Sequence, residues 1–168
     1  MAGLHLGFAE LHAGGVIDRF PKLIAAETYP SLSGALAANS EGPVPADGAA
    51  SKAFSVATPR GTYQALQAIR ATNGTAQVVP DAATLRWHRV LREREGLFVE
   101  FSSAMPVAAA EQLRSSGALQ ADDRVVALIT SSGLKDPEVT LSEDELPLVQ
   151  PDLRDLERVL NEVYGFRP

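Results

Sequence analysis

The sequence contains no cysteine. Without a single thiol among its 168 residues, the chain can have neither a disulfide framework nor a zinc site built from thiolates. A chain without cysteine is typical of a reducing compartment, and we therefore expect a cytoplasmic protein.

Long hydrophobic runs are also missing. No stretch reaches the roughly 18 consecutive apolar residues that predict a membrane-spanning helix. The first eight residues, MAGLHLGF, lack the basic segment and apolar core of a secretory signal. The sequence therefore predicts a protein that is neither exported nor inserted into a membrane.

Basic residues are in the minority. There are 15 Lys and Arg against 21 Asp and Glu, which gives a formal net charge of −6. A negative surface disfavours extended contacts with a phosphate backbone, and we expect no nucleic-acid partner.

What the sequence does contain suits a single domain over residues 1–168. The apolar fraction is 45%, and a chain of this length can bury a substantial core. Residues 39–59 differ from the rest because they are rich in glycine, proline and serine. That composition predicts a loop or mobile connector.

Four short apolar runs have the length of buried strands, and helical patterns of hydrophobic residues separate them. The runs are Lys22–Glu27, Thr75–Pro80, Leu97–Phe101 and Arg124–Thr130. Strands that alternate with helices are typical of right-handed crossovers. The predicted fold class is therefore α/β, with a parallel sheet of about four strands and flanking helices.

The helix after Pro80 has a predicted buried face and a predicted solvent face. Apolar residues recur at helical spacing, which predicts one face in the core; they are Ala83, Trp87, Val90 and Leu91. The basic group should point away from it; it consists of Arg86, His88, Arg89 and Arg92.

Four other patterns have plain structural explanations. Ser132 and Lys135 satisfy the Ser-x-x-Lys pattern of some serine nucleophiles, but the companion motifs are absent. His5 and His12 share a helix face without further ligands, so no metal site is predicted. The acidic residues 143–145 are expected to be solvated, with divalent-ion binding as the alternative. Lys135 and Asp136 are expected to stabilise their own turn through local hydrogen bonds.

The fourth predicted strand ends in hydroxyl residues. Thr130, Ser131 and Ser132 precede Gly133, at the strand end where parallel sheets bind ligands. Two interpretations stay open at this point. The hydroxyls either contact a ligand or cap the following turn.

Four segments, in order, resemble the threonine synthases, which are pyridoxal-phosphate enzymes of fold type II. They are GFAELHAGGVIDRFPKLIAAE (residues 7–27), ALQAIRATNGTAQVVPD (65–81), REREGLFVEFSSA (92–104) and VVALITSSGLKDP (125–137). The last is similar to the family's closing strand followed by Thr-Gly-His/Asn-Gly-Leu-Lys-Asp. The resemblance implies part of a three-layer sandwich, namely the carboxyl-terminal half of the large cofactor-binding domain.

The resemblance also implies site residues. Thr130 matches the threonine that hydrogen-bonds the pyridine nitrogen of pyridoxal 5'-phosphate, with Ser131 beside it. Glu100 and Ser102 match a segment on another side of the cofactor. Phe101 stands where the family usually has proline, so the substrate stays open.

Two parts of the family's site have no counterpart in this sequence. The lysine that holds the cofactor covalently belongs to an upstream motif, and none of Lys22, Lys52 and Lys135 has that setting. The glycine-rich phosphate loop precedes the family's corresponding first helix. We therefore expect no catalytic residue in this chain, no activity from it alone, and a missing amino-terminal half or partner subunit.

The function implied is part of a lyase of amino-acid biosynthesis that converts O-phosphohomoserine to threonine and phosphate. Half of a serine or threonine dehydratase is one alternative, and a non-catalytic regulatory or scaffold remnant is another. The complete enzyme is expected to bind an amino-acid substrate and to form a homo-oligomer.

Overall fold

The computed structural model describes residues 1–48, 50–136 and 147–166. The chain divides into two compact units, Met1–Asp136 and Pro137–Pro168. The predicted acidic segment 143–145 lies outside the described residues.

The first unit alternates helices and strands. Its helices are α1 (Ala2–Ala13), α2 (Ser31–Ala37), α3 (Tyr63–Ala71), α4 (Asp81–Glu95) and α5 (Met105–Ser115). Its strands are β1 (Ile24–Glu27) and β2 (Thr75–Val78). Short 3₁₀ turns occupy Phe101–Ala104 and Gly133–Lys135.

The two strands pair in parallel, as the sequence predicts. The register places Ile24 opposite Thr75 and Glu27 opposite Val78. Thr62 begins α3 by accepting a hydrogen bond from the Ala65 amide at 3.2 Å, which is standard capping by a side-chain oxygen. The fold class is therefore α/β with a parallel sheet and flanking helices.

The expected number of strands is wrong, because the described residues form a sheet of two strands and not four. In the run Leu97–Phe101, Val99 makes an isolated antiparallel bridge to Ser132, and the chain then turns into a 3₁₀ helix. Residues 124–130 form no ladder. A hydrophobic run becomes a strand only where a neighbour supplies hydrogen bonds along its edge.

Three layers are nevertheless present around the small sheet. Ala25 and Ala76 pack with residues of α2 and α3 on one face. On the other face, Gln77 donates from Nε2 to Oε1 of Gln112 in α5 at 3.0 Å. Since successive side chains of a strand point to opposite faces, helices cover both sides of the sheet.

The buried face of α4 differs from the predicted one. Thr84, His88 and Leu91 are its buried residues, whereas Trp87 and Val90 are only partly covered. His88 is 3% exposed, and its Nε2 lies 3.0 Å from the carbonyl oxygen of Val99. The expectation that His88 points to solvent is wrong, because this contact with a backbone oxygen makes burial of the ring acceptable.

The glycine- and proline-rich segment 39–59 has side-chain anchors. Asp81, at the start of α4, accepts hydrogen bonds from Ser51 Oγ at 2.6 Å and from the Lys52 amide at 2.8 Å. The Ala46 amide donates to the carbonyl of Pro59 at 2.8 Å. The contacts with Asp81 fix the second half of the segment to α4, and the bond between Ala46 and Pro59 joins its two halves.

The second unit contains α6 (Leu153–Tyr164). Asp152 caps its start by accepting from the Arg154 amide, and Gly165, with φ of 65°, ends it. Arg158 pairs with Asp155 at 2.6 Å and with Glu162 at 2.8 Å on the helix surface. Among the described residues, no helix is long and apolar enough to cross a membrane.

Candidate functional site

Polar side chains gather where segment 97–104 meets segment 130–135. Two backbone hydrogen bonds align the two segments and form the Val99–Ser132 bridge: one from the Glu100 amide to the Ser131 carbonyl at 3.0 Å, and one from the Gly133 amide to the Phe98 carbonyl at 3.0 Å. A Cβ on Gly133 would lie 2.8 Å from the Phe98 ring. The two segments therefore approach as antiparallel neighbours, and glycine permits the close contact.

Thr130 stands at the exposed rim of this cluster. Its Oγ1 lies 3.3 Å from Ser103 Oγ, which also accepts a 3.1 Å hydrogen bond from the Ser131 amide. With one lone pair of Ser103 occupied in this way, its proton is available to Thr130. In that arrangement Thr130 keeps its own proton for an outside acceptor.

Ser102 and Ser103 lie beneath this rim. They are 8% and 3% exposed. Within the described part of the chain, Ser102 Oγ is buried and has no hydrogen-bond partner. Buried polar atoms are normally satisfied, so this hydroxyl is suited to a contact with a bound polar group.

Glu100 supplies a carboxylate to the cluster, and its side chain is 3% exposed. Ser55 Oγ donates to its Oε1, and Lys135 Nζ lies 3.2 Å from its Oε2. Burial raises the pKa of the Glu100 carboxyl, but hydrogen bonds from Ser55, Lys135 and Ser131 outweigh it and leave the pKa below its ordinary value. The carboxylate is therefore ionised at neutral pH.

The expected local role of Lys135 is wrong. Its ammonium donates to Ser55, 80 positions earlier in the chain, and to Glu100. Ser132 accepts from the Leu134 amide at 3.3 Å, so its hydroxyl caps the 3₁₀ turn. Both residues of the Ser-x-x-Lys pattern, Ser132 and Lys135, thus have structural roles.

The structure brings the four predicted site residues, Thr130, Ser131, Glu100 and Ser102, to one locality. Sequence reasoning missed Ser55 and Ser103. Ser103 stands inside the motif that supports the resemblance. No signal in the sequence indicated Ser55, because its contact with Glu100 spans 45 positions.

The apolar segment that leads into Thr130 is largely exposed. Val125 and Leu128 are each 49% exposed, and Val126 is 84% exposed. Beside it, α4, α5 and residues 119–125 line a groove of about 320 Å³ that includes Trp87 and Val125. A run of exposed apolar side chains such as Val125–Ile129 is typical of a surface that another polypeptide covers.

The histidines and acidic residues that the structure describes form no competing metal centre. Within residues 1–48, 50–136 and 147–166, no group of three or more potential ligands is close enough to hold an ion. His5 and His12 both lie against Phe20, with ring centroids 6.1 and 5.0 Å apart.

Curated relatives of this chain include threonine synthases of archaea and bacteria. The chain is 30% identical over 162 residues to threonine synthase of Methanocaldococcus jannaschii, an alignment that covers 94% of this chain and 40% of the relative. It is 31% identical over 153 residues to threonine synthase of Methanosarcina acetivorans, with 89% and 38% covered. The chain therefore spans about 40% of the length of these relatives.

A crystal structure of a threonine deaminase from the organism abbreviated T.th. is also similar, with a TM-score of 0.49 and 21% identity over 87% of this chain and 47% of that one. The model of the family described as pyridoxal-phosphate dependent enzyme matches residues 1–131. That match covers most of the chain, including the Glu100–Ser103 segment and Thr130. The chain therefore belongs to the pyridoxal-phosphate dependent enzymes.

Proposed function

We propose that this chain supplies one wall of the cofactor site in a lyase of threonine synthase type, and that the rest of the site comes from polypeptide outside the 168 residues. The observation that supports this is the exposed Thr130 hydroxyl, which lies 3.3 Å from Ser103 Oγ, together with the neighbouring Ser102, whose buried hydroxyl has no partner among the described residues. Pyridoxal phosphate supplies an electron sink for elimination and replacement at amino-acid carbons.

The residues present suit the ring edge of such a cofactor. Thr130 would donate its proton to the pyridine nitrogen, held in position by Ser103. A neutral hydroxyl does not protonate that nitrogen as a carboxylic acid partner does. Ser102 would satisfy its hydroxyl against a polar substituent, and Ser131 would fix the backbone beside it.

The same residues do not suit the phosphate. The ammonium of this cluster, Lys135, is already paired with the buried Glu100 carboxylate. A dianionic phosphate needs free amides, as at a helix start, or unpaired cations. We therefore assign the phosphate cradle and the covalent lysine to the complementary part.

The exposed segment Val125–Ile129 is where we expect that part to join. Within the described part of the chain, its backbone has no ladder partner. Unpaired backbone edges with apolar side chains favour pairing with another strand. If the complementary part pairs with Val125–Ile129, this segment would become a strand of the sheet, and Thr130 would lie at the end of that strand.

The test is cofactor trapping with borohydride. We expect the isolated chain, mixed with pyridoxal phosphate, to give no stoichiometric lysine adduct by mass spectrometry. When the chain is mixed with the part of the M. jannaschii enzyme outside the matched region, an adduct should form on a lysine of that added part. In a separate assembled sample without borohydride, phosphate and threonine should be released from O-phosphohomoserine.

Thr130→Val should weaken cofactor binding in the assembled protein by roughly tenfold, the loss expected for one good hydrogen bond. Thr130→Ser is the matched control, because it keeps the hydroxyl. A stoichiometric adduct on Lys22, Lys52 or Lys135 of the isolated chain would contradict the proposal. Release of 2-oxobutyrate from threonine, or of pyruvate from serine, without turnover of O-phosphohomoserine would indicate a dehydratase.

A further inference from the structure

The Glu100 carboxylate takes part in a closed triangle of contacts. Ser55 Oγ donates to Oε1, Lys135 Nζ lies 3.2 Å from Oε2, and the same Nζ lies 3.2 Å from Ser55 Oγ. Each of the three side chains thus contacts the other two.

The triangle joins three segments that are distant in sequence. The separations are 45 positions between Ser55 and Glu100, 35 between Glu100 and Lys135, and 80 between Ser55 and Lys135. Lys135 Nζ also lies 5.7 Å from the centroid of the Phe54 ring, within the range of a cation–π contact. Both Phe54 and Ser55 are exposed, so these contacts hold a surface loop.

Burial makes the carboxylate depend on its partners. A carboxylate whose side chain is 3% exposed loses most of its hydration, and hydrogen bonds from charged or polar groups must replace it. Lys135 is half exposed, so its attraction is partly screened by solvent. The Ser55 hydroxyl therefore has to provide a substantial part of the stabilisation.

We propose that Lys135 and Ser55 are positioning residues, which fix the Glu100 side chain and thereby hold the loop around Phe54 against the Thr130–Ser131 rim. Only the description of that rim as a cofactor site rests on the proposed function. The tether itself belongs to the chain and can be measured without cofactor.

Amide hydrogen exchange of the loop is the primary readout. The Val56 amide donates to the Ala53 carbonyl at 3.0 Å, and the Thr58 amide donates to the Val56 carbonyl at 2.9 Å. In Lys135→Met, we expect exchange at these two amides to rise by roughly tenfold, since a hydrogen bond to a charged group is lost. Lys135→Arg should restore slow exchange.

The matched control is Lys52→Met. Lys52 is an exposed lysine of the same loop, and its backbone amide, which the substitution keeps, anchors the loop to Asp81. Lys52→Met removes one positive charge, as Lys135→Met does, but leaves the contacts of Glu100 in place. Exchange at the Val56 and Thr58 amides should therefore stay at the wild-type rate.

A second readout separates positioning from a general loss of structure. The ¹³C resonance of the Glu100 side-chain carboxyl should titrate at higher pH in Lys135→Met and in Ser55→Ala than in the wild type. In each variant one hydrogen bond that lowers the pKa is lost, so the effect of burial, which raises the pKa, is offset less. The Glu100 backbone amide also donates a hydrogen bond to the Ser131 carbonyl. Neither substitution removes this backbone contact with the Thr130–Ser131 rim.

Unchanged exchange and an unchanged Glu100 titration in Lys135→Met and Ser55→Ala would overturn the proposal. If circular dichroism shows that Lys135→Met does not fold, the proposal is tested with Ser55→Ala and Lys135→Arg. The same two measurements, amide exchange and the Glu100 titration, are then made on those variants. Failure of cofactor trapping together with the expected exchange would contradict the proposed function and leave the tether standing.

Discussion

Val126→Lys tests whether the exposed segment is a surface for assembly or a part of this chain's own core. Val126 is 84% exposed. Full burial of a valine side chain is worth about 2 kcal/mol, so the buried sixth contributes roughly 0.3 kcal/mol in the isolated chain. We therefore expect the free energy of unfolding, from urea denaturation, to change by less than about 0.5 kcal/mol.

Assembly should respond very differently. If the complementary part covers Val126, the substitution forfeits about 2 kcal/mol of apolar burial and forces an ammonium out of water. Since about 1.4 kcal/mol corresponds to a tenfold change in Kd, the affinity for the complementary part should fall by well over tenfold. Sedimentation velocity or calorimetry with the remainder of the M. jannaschii enzyme would measure it.

Leu148→Lys is the control, because Leu148 is 91% exposed and lies outside the segment. It should leave both the stability and the affinity unchanged. A loss of more than about 1 kcal/mol of stability in Val126→Lys would mean that the segment is packed within the chain. Equal affinity of Val126→Lys and the wild type would refute the idea that this segment is the joining surface.

Three further predictions concern the chain by itself. Gly74→Ala should lower the free energy of unfolding by about 3 kcal/mol or more in urea denaturation, because its Cβ would lie 1.9 Å from the Leu23 carbonyl oxygen; a neutral result would mean that the approach before β2 is looser than described. Glu27→Gln should cost about 1–2 kcal/mol by the same measurement, because the carboxylate accepts from two amides at the start of α2 at 2.9 and 2.8 Å, whereas an unchanged midpoint would contradict this capping. The pKa of Glu100 is lowered in the folded state, so its contribution to stability is present above the unfolded pKa and is lost as pH falls through the folded pKa. Below about pH 4.5, the ordinary value of the carboxyl, the free energy of unfolding should therefore fall more steeply with decreasing pH in the wild type than in Glu100→Gln. Parallel plots of unfolding free energy against pH for the two proteins would argue against the ion pair.

Local patterns in the sequence predicted much of the first unit correctly. The runs that became β1 and β2 were recognised by length and hydrophobicity. Such features depend on residues a few positions apart, which is why sequence can predict them. The resemblance to threonine synthases likewise depended on contiguous motifs, and the family match over residues 1–131 confirmed the family.

The third and fourth predicted strands failed for a different reason. Leu97–Phe101 and Arg124–Thr130 have the composition of buried strands, but composition does not supply a neighbour. Among the described residues, Leu97–Phe101 pairs only through Val99. In the same part of the chain, Arg124–Thr130 forms no ladder, and Val126 is open to solvent. Strand formation needs hydrogen-bond partners along the edge, and those are long-range.

By itself, the sequence determined the α/β alternation, the absence of thiol chemistry and the identity of the hydroxyl residues at the rim. Only the tertiary structure decided that Ser103 supports Thr130, that His88 is buried, and that Ser55 and Lys135 converge on Glu100. The physical reason is distance along the chain. A cap or a buried helix face is encoded within a few residues, whereas a buried carboxylate takes its partners from wherever the fold brings a hydroxyl and an ammonium within hydrogen-bonding range.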